Sequence, residues 1–220
     1  MTNNTIHPKL HFILDFETMG QDIFHIPILD CSYMTFDWNR FTSDNPYSLL
    51  ELVESAQYEK LNVKDQCTTY GAKFTKRDLD WWESHGDLAK RVLTPSEKDV
   101  SVNTFIDNFI KYLHIEPRKI GHWWSRANTF DPLVLQRWAT IAGKFDTITQ
   151  YLEPWLIRDT RTFIDAKLNF PKVNGFVPIS DQAYWDSTFV KHDSRFDIAA
   201  DILRLQAICR AEDDLEMINR

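Results

Sequence analysis

Apolar residues along the chain follow two different spacings. Two continuous apolar runs, His11 to Leu14 and Pro27 to Phe36, have the length and the polar flanks of buried strands. Two further strands are predicted near Ser55 to Leu61 and over Lys119 to Trp124. Elsewhere apolar residues recur every three or four positions, the spacing of amphipathic helices. Strands early in the chain, then helices alternating with strands, predict one α/β domain over residues 1–220 with a mixed central sheet.

The helices are placed by this spacing and by their terminal residues. Thr75 and Asp78 have the spacing of a capping box, and Pro132 suits the first position of a helix. The predicted helices cover Asp80 to Glu83, Leu88 to Leu93, Ser101 to His114, Asp131 to Ile141, Arg158 to Leu168 and Asp193 to Arg210. In the Asp131 to Ile141 helix the buried stripe is expected to comprise Leu133, Val134, Trp138 and Ile141.

Composition narrows the class of protein. With 220 residues, 43% of them hydrophobic, the chain can bury a sizeable core. No apolar run approaches the roughly 20 residues that span a membrane, and the first residues are polar, unlike a signal peptide. The three scattered cysteines form neither a metal-ligand spacing nor a disulfide framework, so we expect a cytoplasmic protein. A net charge of −7 argues against passive adhesion to nucleic acid. It does not exclude an enzyme that acts on nucleic acid, because bound metal ions neutralise an acidic site.

The first candidate site follows the first strand. Asp15 and Glu17 are one residue apart, so on a strand both side chains project from the same face. Two adjacent carboxylates repel each other unless a proton or a cation lies between them. A hard divalent ion such as Mg²⁺ or Mn²⁺ is the expected cation. Taken alone, the pair also fits a solvated acidic turn.

A third acid follows the strand predicted over Lys119 to Trp124. Asp131 lies at the start of the next helix, where it is either an N-cap or a carboxylate directed at Asp15 and Glu17 if the two strands are neighbours.

The last helix begins with a histidine and three acids. His192 is predicted in the loop before the helix, with Ser194 as a plausible N-cap. Asp193, Asp197 and Asp201 are the competing ligands. Asp197 and Asp201 are one turn apart, about 5.4 Å, which is too far for both to reach one metal. Because the histidine must reach the same site from the loop, the nearer turn, and therefore Asp197, is favoured.

In this order, Asp15-x-Glu17, Asp131, and His192 with Asp197 resemble the DEDD superfamily of 3′–5′ exonucleases, in its histidine-containing branch. Asn128-Thr-Phe-Asp131 has one residue fewer than the family's Asn-x-x-Phe-Asp pattern. Within that superfamily the chain is similar to the group that holds exonuclease A of T-even bacteriophages and a mycobacterial exoribonuclease. The stretches that carry this similarity are Ile13 to Gly20, Trp81-Trp82, Pro95 to Ser101, Ser125 to Pro132, Arg158 to Thr162 and Lys191 to Asp197.

The resemblance implies a ribonuclease H-like fold, a mixed sheet flanked by helices. It implies two Mg²⁺ ions, with Mn²⁺ as an alternative, held by Asp15, Glu17, Asp131 and Asp197, and His192 as the general base. The expected substrate is single-stranded DNA or RNA with a free 3′ end, and the expected products are nucleoside 5′-monophosphates. Candidate substrate contacts are Thr18, Met19, Trp124, Arg126, Asn128, Phe130, Arg158 and Arg161. Trp81 and Trp82 are expected to be core packing.

Two alternatives accompany this interpretation. The phage resemblance favours DNA, and host cytoplasm as the location if the chain is phage-encoded, whereas the mycobacterial resemblance favours an exoribonuclease. A non-catalytic nucleic-acid-binding protein with a degenerate nuclease fold is the other class. Such a protein is expected to lack a carboxylate or the histidine, and here all are present. The oligomeric state is left open.

Overall fold

A five-stranded mixed sheet forms the centre of the protein. The computed structural model describes residues 10–115, 120–168, 174–177 and 189–211. The strand order is β3-β2-β1-β4-β5, with β1 antiparallel to β2 and parallel to β4, β2 antiparallel to β3, and β4 parallel to β5. The predicted mixed sheet is confirmed. The strands are β1 (Leu10–Thr18), β2 (Ile28–Asp37), β3 (Gln57–Lys60), β4 (His122–Ser125) and β5 (Ile157–Asp159).

Nine α-helices lie among the described residues. Six overlap the predicted helices, whereas the helices Leu49–Ser55, Val63–Tyr70 and Phe145–Thr149 were not predicted. The helices are α1 (Leu49–Ser55), α2 (Val63–Tyr70), α3 (Lys76–Glu83), α4 (Gly86–Lys90), α5 (Val102–Ile115), α6 (Asp131–Ile141), α7 (Phe145–Thr149), α8 (Thr160–Leu168) and α9 (Ser194–Arg210). The Thr75–Asp78 capping box is formed at the start of α3. The helix predicted over Arg158 to Leu168 begins at Thr160, because Arg158 and Asp159 pair with β4 as part of β5, a strand that was not predicted. No helix in the described part of the chain is long and apolar enough to cross a membrane.

The central strand β1 separates two apolar layers. Phe12, Leu14 and Phe16 face a layer built with α5 and α6, whereas Ile13 faces a layer built with α8 and α9. This alternation is the two-residue period of a strand. Fully burying each large apolar side chain contributes roughly 1.5–3 kcal/mol, so the two layers together hold β1 rigidly. Asp15 and Glu17 follow Ile13 at the two-residue spacing, so their side chains project from the same face of β1 as Ile13.

The buried stripe of α6 differs from the prediction. Leu133 and Ile141 are 36% and 39% exposed, whereas Leu135 and Ala139 are buried with Val134. The stripe therefore runs through positions 131, 134, 135, 138 and 139, the full i, i+3, i+4 pattern of a helix packed on a sheet. Its first member is Asp131, so the packing of α6 turns this acid toward the sheet.

The start of α9 also differs from the prediction. Asp193 is the N-cap, and its Oδ1 accepts a hydrogen bond from the Arg195 backbone N–H at 3.1 Å. Ser194 is instead buried, with its hydroxyl oxygen 2.7 Å from that of Ser32 on β2. The first turn of α9 is thus tied to the sheet, and Asp197 lies in that turn.

Candidate active site

Three carboxylates converge at the carboxyl end of β1. Asp15 and Glu17 come from β1 and Asp197 from the first turn of α9, and one ligand oxygen of each lies within 4.8 Å of the others. The strand period brings Asp15 and Glu17 to one face, and the packing of α9 across β1 and β2 brings Asp197 to the same face. Three oxygens at this spacing have the arrangement that a hard divalent cation requires.

Asp131 approaches the same strand from α6. It is the first residue of the helix, it is buried, and its Oδ1 accepts a hydrogen bond from the Phe16 backbone N–H at 3.2 Å. Phe16 lies between Asp15 and Glu17, so the carboxylate is anchored at the level of both acids. The N-cap of α6 is Phe130, and Asp131 is therefore not the cap.

Repulsion among the acids of this cluster is only partly offset by the protein, through arginine charges that act on Asp131 and Asp197. Burial raises the pKa of Asp15 well above its usual value, and the charges of Asp131 and Asp197 raise it further. Burial and Asp197 do the same for the pKa of Glu17. Burial also raises the pKa of Asp131 and of Asp197 to about 7. Carboxylates this close share protons unless cations neutralise them, so the donor set fits divalent metal ions.

His192 lies beside the cluster in a constrained backbone conformation. Its φ of 62° is in the left-handed region, which non-glycine residues adopt at a cost. Its Nδ1 lies 3.4 Å from Oε1 of Glu17. Burial, with the positive charges of Lys191 and His85, lowers its pKa to about 4. The lowered pKa keeps His192 neutral at pH 7.

An aromatic group from α3 and the residues after it holds the His192 ring. The ring centroids of Trp81, Trp82 and His85 lie 5.0, 5.6 and 5.0 Å from that of His192, all close to edge-on. Trp82 is core, as predicted, and its indole N–H donates to the Thr18 carbonyl at 3.0 Å. Trp81 is 45% exposed, so the core prediction is wrong for it. The contact between the rings of His85 and His192 could not be predicted from the spacing of residues in the sequence.

Asp201, one turn after Asp197, has a different environment. Its side chain is 3% exposed and forms ion pairs with Arg126 and Arg204, the latter at 3.0 Å. The Thr160 hydroxyl donates to its Oδ2 at 2.6 Å. Asp201 is thus neutralised by the protein itself. Arg126, predicted to contact substrate, is engaged in this ion pair.

The structure contradicts a base-stacking role for Trp124. The side chain is 2% exposed, its indole N–H donates to Nδ1 of His11 at 2.9 Å, and its ring stacks on Trp38. Its position on β4 directs it into the layer that contains Ile13. Arg158, also predicted to contact substrate, donates to the carbonyl oxygens of Trp155 and Ile157 at 3.1 and 2.7 Å. The strand register places Trp124 beside Ile13 and Arg158 beside Trp124, so both residues lie level with the middle of β1.

The other predicted contacts lie closer to the cluster. Met19 is buried beside Trp82, and the Thr18 hydroxyl donates to the Gly20 carbonyl at 2.8 Å. The Asn128 backbone N–H donates to Oδ2 of Asp159 at 3.1 Å. Phe130 is half-buried against the first apolar layer. Arg161 is exposed, and its charge lowers the pKa of Asp131, which places it within electrostatic reach of the acids.

A cleft of about 230 Å³ opens beside His192 and includes an acid that sequence reasoning missed. Asp30 on β2 is the cross-strand neighbour of Glu17, and burial raises its pKa to about 7. The Tyr58 hydroxyl donates to its Oδ2 at 3.2 Å. Strand register brings Asp30 to the site, and register is not visible in the spacing of one strand. The cleft is also lined by Arg91 and Arg195.

A ribonuclease H-like mixed sheet with a cluster of carboxylates at the end of its central strand is consistent with the class of 3′–5′ exonucleases. The chain matches the 3′–5′ exoribonuclease Rv2179c-like domain over residues 10–191, and it belongs to this family. It is also 32% identical over 220 residues to a protein of Enterobacteria phage T4 named exodeoxyribonuclease, with 93% of this chain and 91% of that protein covered. The chain is an enzyme of the 3′–5′ exonuclease class.

The family match has one consequence for the site. It includes Asp15, Glu17 and Asp131 but ends at residue 191, before His192 and Asp197. The assignment of these two residues therefore depends on their position beside Glu17, with Asp197 in the carboxylate cluster and His192 3.4 Å from the Glu17 carboxylate.

Proposed function

We propose that the chain is a divalent-metal-dependent exonuclease that removes nucleotides from the 3′ end of single-stranded nucleic acid and releases nucleoside 5′-monophosphates, with DNA preferred over RNA. The observation that carries the proposal is the convergence of Asp15, Glu17 and Asp197, with Asp131 anchored on the same strand. These charges come from three separate elements of the fold, so the cluster is a product of tertiary packing.

Asp15, Glu17, Asp131 and Asp197 would hold two Mg²⁺ ions, with Mn²⁺ as an alternative. Bound metals of this kind lower the pKa of water and stabilise charge on the leaving oxygen. The protein's part is to fix the four carboxylates. The bond from the Phe16 N–H fixes Asp131, and the capped first turn of α9 fixes Asp197.

His192 would take the proton of the attacking water. It is neutral at pH 7 because burial lowers its pKa. The contacts with Trp81, Trp82 and His85 orient its ring, and the left-handed backbone directs it toward Glu17. A base positioned in this way contributes about 10²–10⁴-fold to turnover.

The preference for DNA is supported by the T4 relative, which is named exodeoxyribonuclease and aligns with nearly the whole chain. The family name supports RNA as the second candidate. The phage relative also supports action in a host cytoplasm. Recognition of a free 3′ end would involve the turn that directly follows Glu17, where Trp82 and the Thr18 hydroxyl hold the backbone of Thr18 to Gly20.

The decisive experiment is digestion of 5′-end-labelled DNA and RNA, single- and double-stranded, with and without Mg²⁺. We expect stepwise shortening from the 3′ end of single strands, faster for DNA, with nucleoside 5′-monophosphates as products. Strands with a 3′-phosphate should be degraded slowly and circular strands not at all. Cutting of circles at a similar rate would identify an endonuclease, and faster cutting of RNA would select the exoribonuclease.

A further inference from the structure

A short exposed segment before and within α3 combines cations with an aromatic ring. Lys73-Phe74-Thr75-Lys76-Arg77 contains three positive charges in a chain whose net charge is −7. All five residues are exposed, and Phe74 is 41% exposed. Basic groups interleaved with aromatic rings are the features by which proteins bind single-stranded nucleic acid.

Two of the three cations in this segment are uncompensated. Lys76 pairs with Asp80 at 3.2 Å, and Asp78 is occupied by the capping box with Thr75. Lys73 and Arg77 make no ion pair with any residue that the structure describes. Positive charge is thus available on either side of Phe74.

A second exposed phenylalanine lies next to this segment. Phe24, in the loop between β1 and β2, is 72% exposed. The Lys73 backbone N–H donates to the carbonyl oxygen of His25 at 2.7 Å, which joins the chain segments of Phe24 and Phe74. The nearby acid, Asp22, is paired with His25 at 2.8 Å and accepts from the Phe24 N–H at 3.0 Å. The exposed side chains of Phe24, Lys73, Phe74 and Arg77 therefore lie on two chain segments that this bond joins, and they are treated together as one surface.

This surface is connected to the catalytic cluster by two routes. The loop that carries Phe24 begins at the turn after Glu17, and Gly20 in that turn lies so close to α3 that an added Cβ would be 3.1 Å from the Asp78 carboxylate. Along α3, Trp81 follows Lys76 by five residues, about 7.5 Å. The Trp81 ring lies 5.0 Å from that of His192.

We propose that Phe24, Lys73, Phe74 and Arg77 form a docking track for the part of the strand upstream of the 3′-terminal nucleotide. The inference rests on the proposed function and specifies where that site holds its substrate. Lys73 and Arg77 contact phosphates, and the two rings stack on bases, which requires unpaired bases. Between the track and His192 lie about 7.5 Å of α3, from Lys76 to Trp81, and the 5.0 Å between the rings of Trp81 and His192, so the track faces nucleotides upstream of the terminal one.

The kinetic test compares a strand of about 20 nucleotides with a dinucleotide, which is too short to reach the track. The variants are Phe24→Ala with Phe74→Ala, and Lys73→Ala with Arg77→Ala. We expect each double variant to raise KM for the long strand about 10-fold, with kcat unchanged and the dinucleotide hydrolysed as before. Lys111→Ala with Trp155→Ala is the matched control, because both residues are exposed and lie toward the other end of the sheet.

The binding test is independent of cleavage. In excess chelator no strand is cut, and fluorescence anisotropy reports affinity for a labelled single strand at several salt concentrations. Each lost phosphate contact lowers the slope of log Kd against log salt by about 0.7, so Lys73→Ala with Arg77→Ala should lower it by about 1.4. Lys73→Arg with Arg77→Lys should restore the slope.

Several outcomes would overturn the track. If the double variants leave both the KM for the long strand and the salt slope unchanged, the track does not bind the strand. If KM for the dinucleotide rises as much as KM for the long strand, these residues contact the terminal nucleotide instead. A change of oligomeric state by light scattering, with strand affinity unchanged, would assign the surface to a second copy of the chain. A protein that binds strands in chelator through this track but cleaves nothing with Mg²⁺ would contradict the proposed function and leave the track intact.

Discussion

Asp197 and Asp201 lie one turn apart on α9 and have opposite electrostatic environments. Asp197 faces Asp15 and Glu17, and no cation of the described chain pairs with it. Asp201 is enclosed by Arg126, Arg204 and the Thr160 hydroxyl. Two ion pairs and a hydrogen bond compensate Asp201, whereas Asp197 forms no ion pair in the described chain and is reached only by the more distant charges of Arg126 and Arg204. This difference supports the proposal that Asp201 is a structural acid and Asp197 a metal ligand.

Metal removal should have the largest effect, because only the cluster of Asp197 depends on added cations. Excess EDTA should abolish release of nucleoside 5′-monophosphates, and Mg²⁺ or Mn²⁺ should restore it. Ca²⁺ should bind and support little turnover. Full activity in chelator would remove the metal from the mechanism.

Substituting each acid on α9 tests the comparison directly. Asp197→Asn should lose nearly all turnover at saturating Mg²⁺ while the fold is retained, because one metal is weakened. Asp201→Asn should instead destabilise the fold by about 3–5 kcal/mol, since it removes the carboxylate that pairs with the half-buried Arg126 and Arg204. Turnover and urea unfolding of both variants are the measurements.

Asp193→Asn is the matched control for these variants, since asparagine also caps helices well, and it should keep most activity. An active Asp197→Asn beside an inactive but stable Asp201→Asn would reverse the assignment.

The next effect concerns His192, which contacts the uncompensated cluster. His192→Ala should lower turnover by about 10²–10⁴-fold, with metal and strand affinity changed much less. His85→Ala should have a smaller effect, because His85 only orients the ring. Single-turnover cleavage and strand binding in Ca²⁺ separate the two contributions. Wild-type turnover in His192→Ala would exclude it as the base.

The smallest effect is on the pH dependence of stability without metal. The folded state raises the pKa of Asp131 and Asp197 from 3.8 to about 7. Between these values the folded protein binds more protons than the unfolded one, so its stability falls as pH rises from about 4 to about 7. We expect this loss as a lower Tm in EDTA at pH 8 than at pH 5.

Added Mg²⁺ and substitution of Asp197 test this pH dependence further. Mg²⁺ should restore the Tm at pH 8, because binding at 100 times its Kd adds about 2.7 kcal/mol to the free energy of unfolding. Asp197→Asn should flatten the pH dependence, because the asparagine amide does not titrate and the raised pKa of Asp197 no longer contributes. A Tm in EDTA that rises between pH 5 and pH 8 would contradict the charge distribution described for the site.

Local periodicity was enough to predict most of the fold and part of the site. The two-residue period of β1 placed Asp15 and Glu17 on one face, and the three-to-four spacing located α5, α6 and α9. These patterns depend only on neighbours along the chain. The order of the motifs resembles that of the histidine-containing DEDD exonucleases, and this resemblance associated the acids with His192.

Tertiary packing decided what periodicity cannot express, namely which groups lie opposite each other. Trp124 was predicted to contact substrate because it precedes the Asp131 motif, yet β4 directs its side chain into the core. Arg126 was predicted to contact substrate, yet it pairs with Asp201. The sequence alone determined where acids, bases and aromatic rings occur along each element. Only the packed structure decided which charges the protein compensates, because compensation depends on distances between residues far apart in the chain.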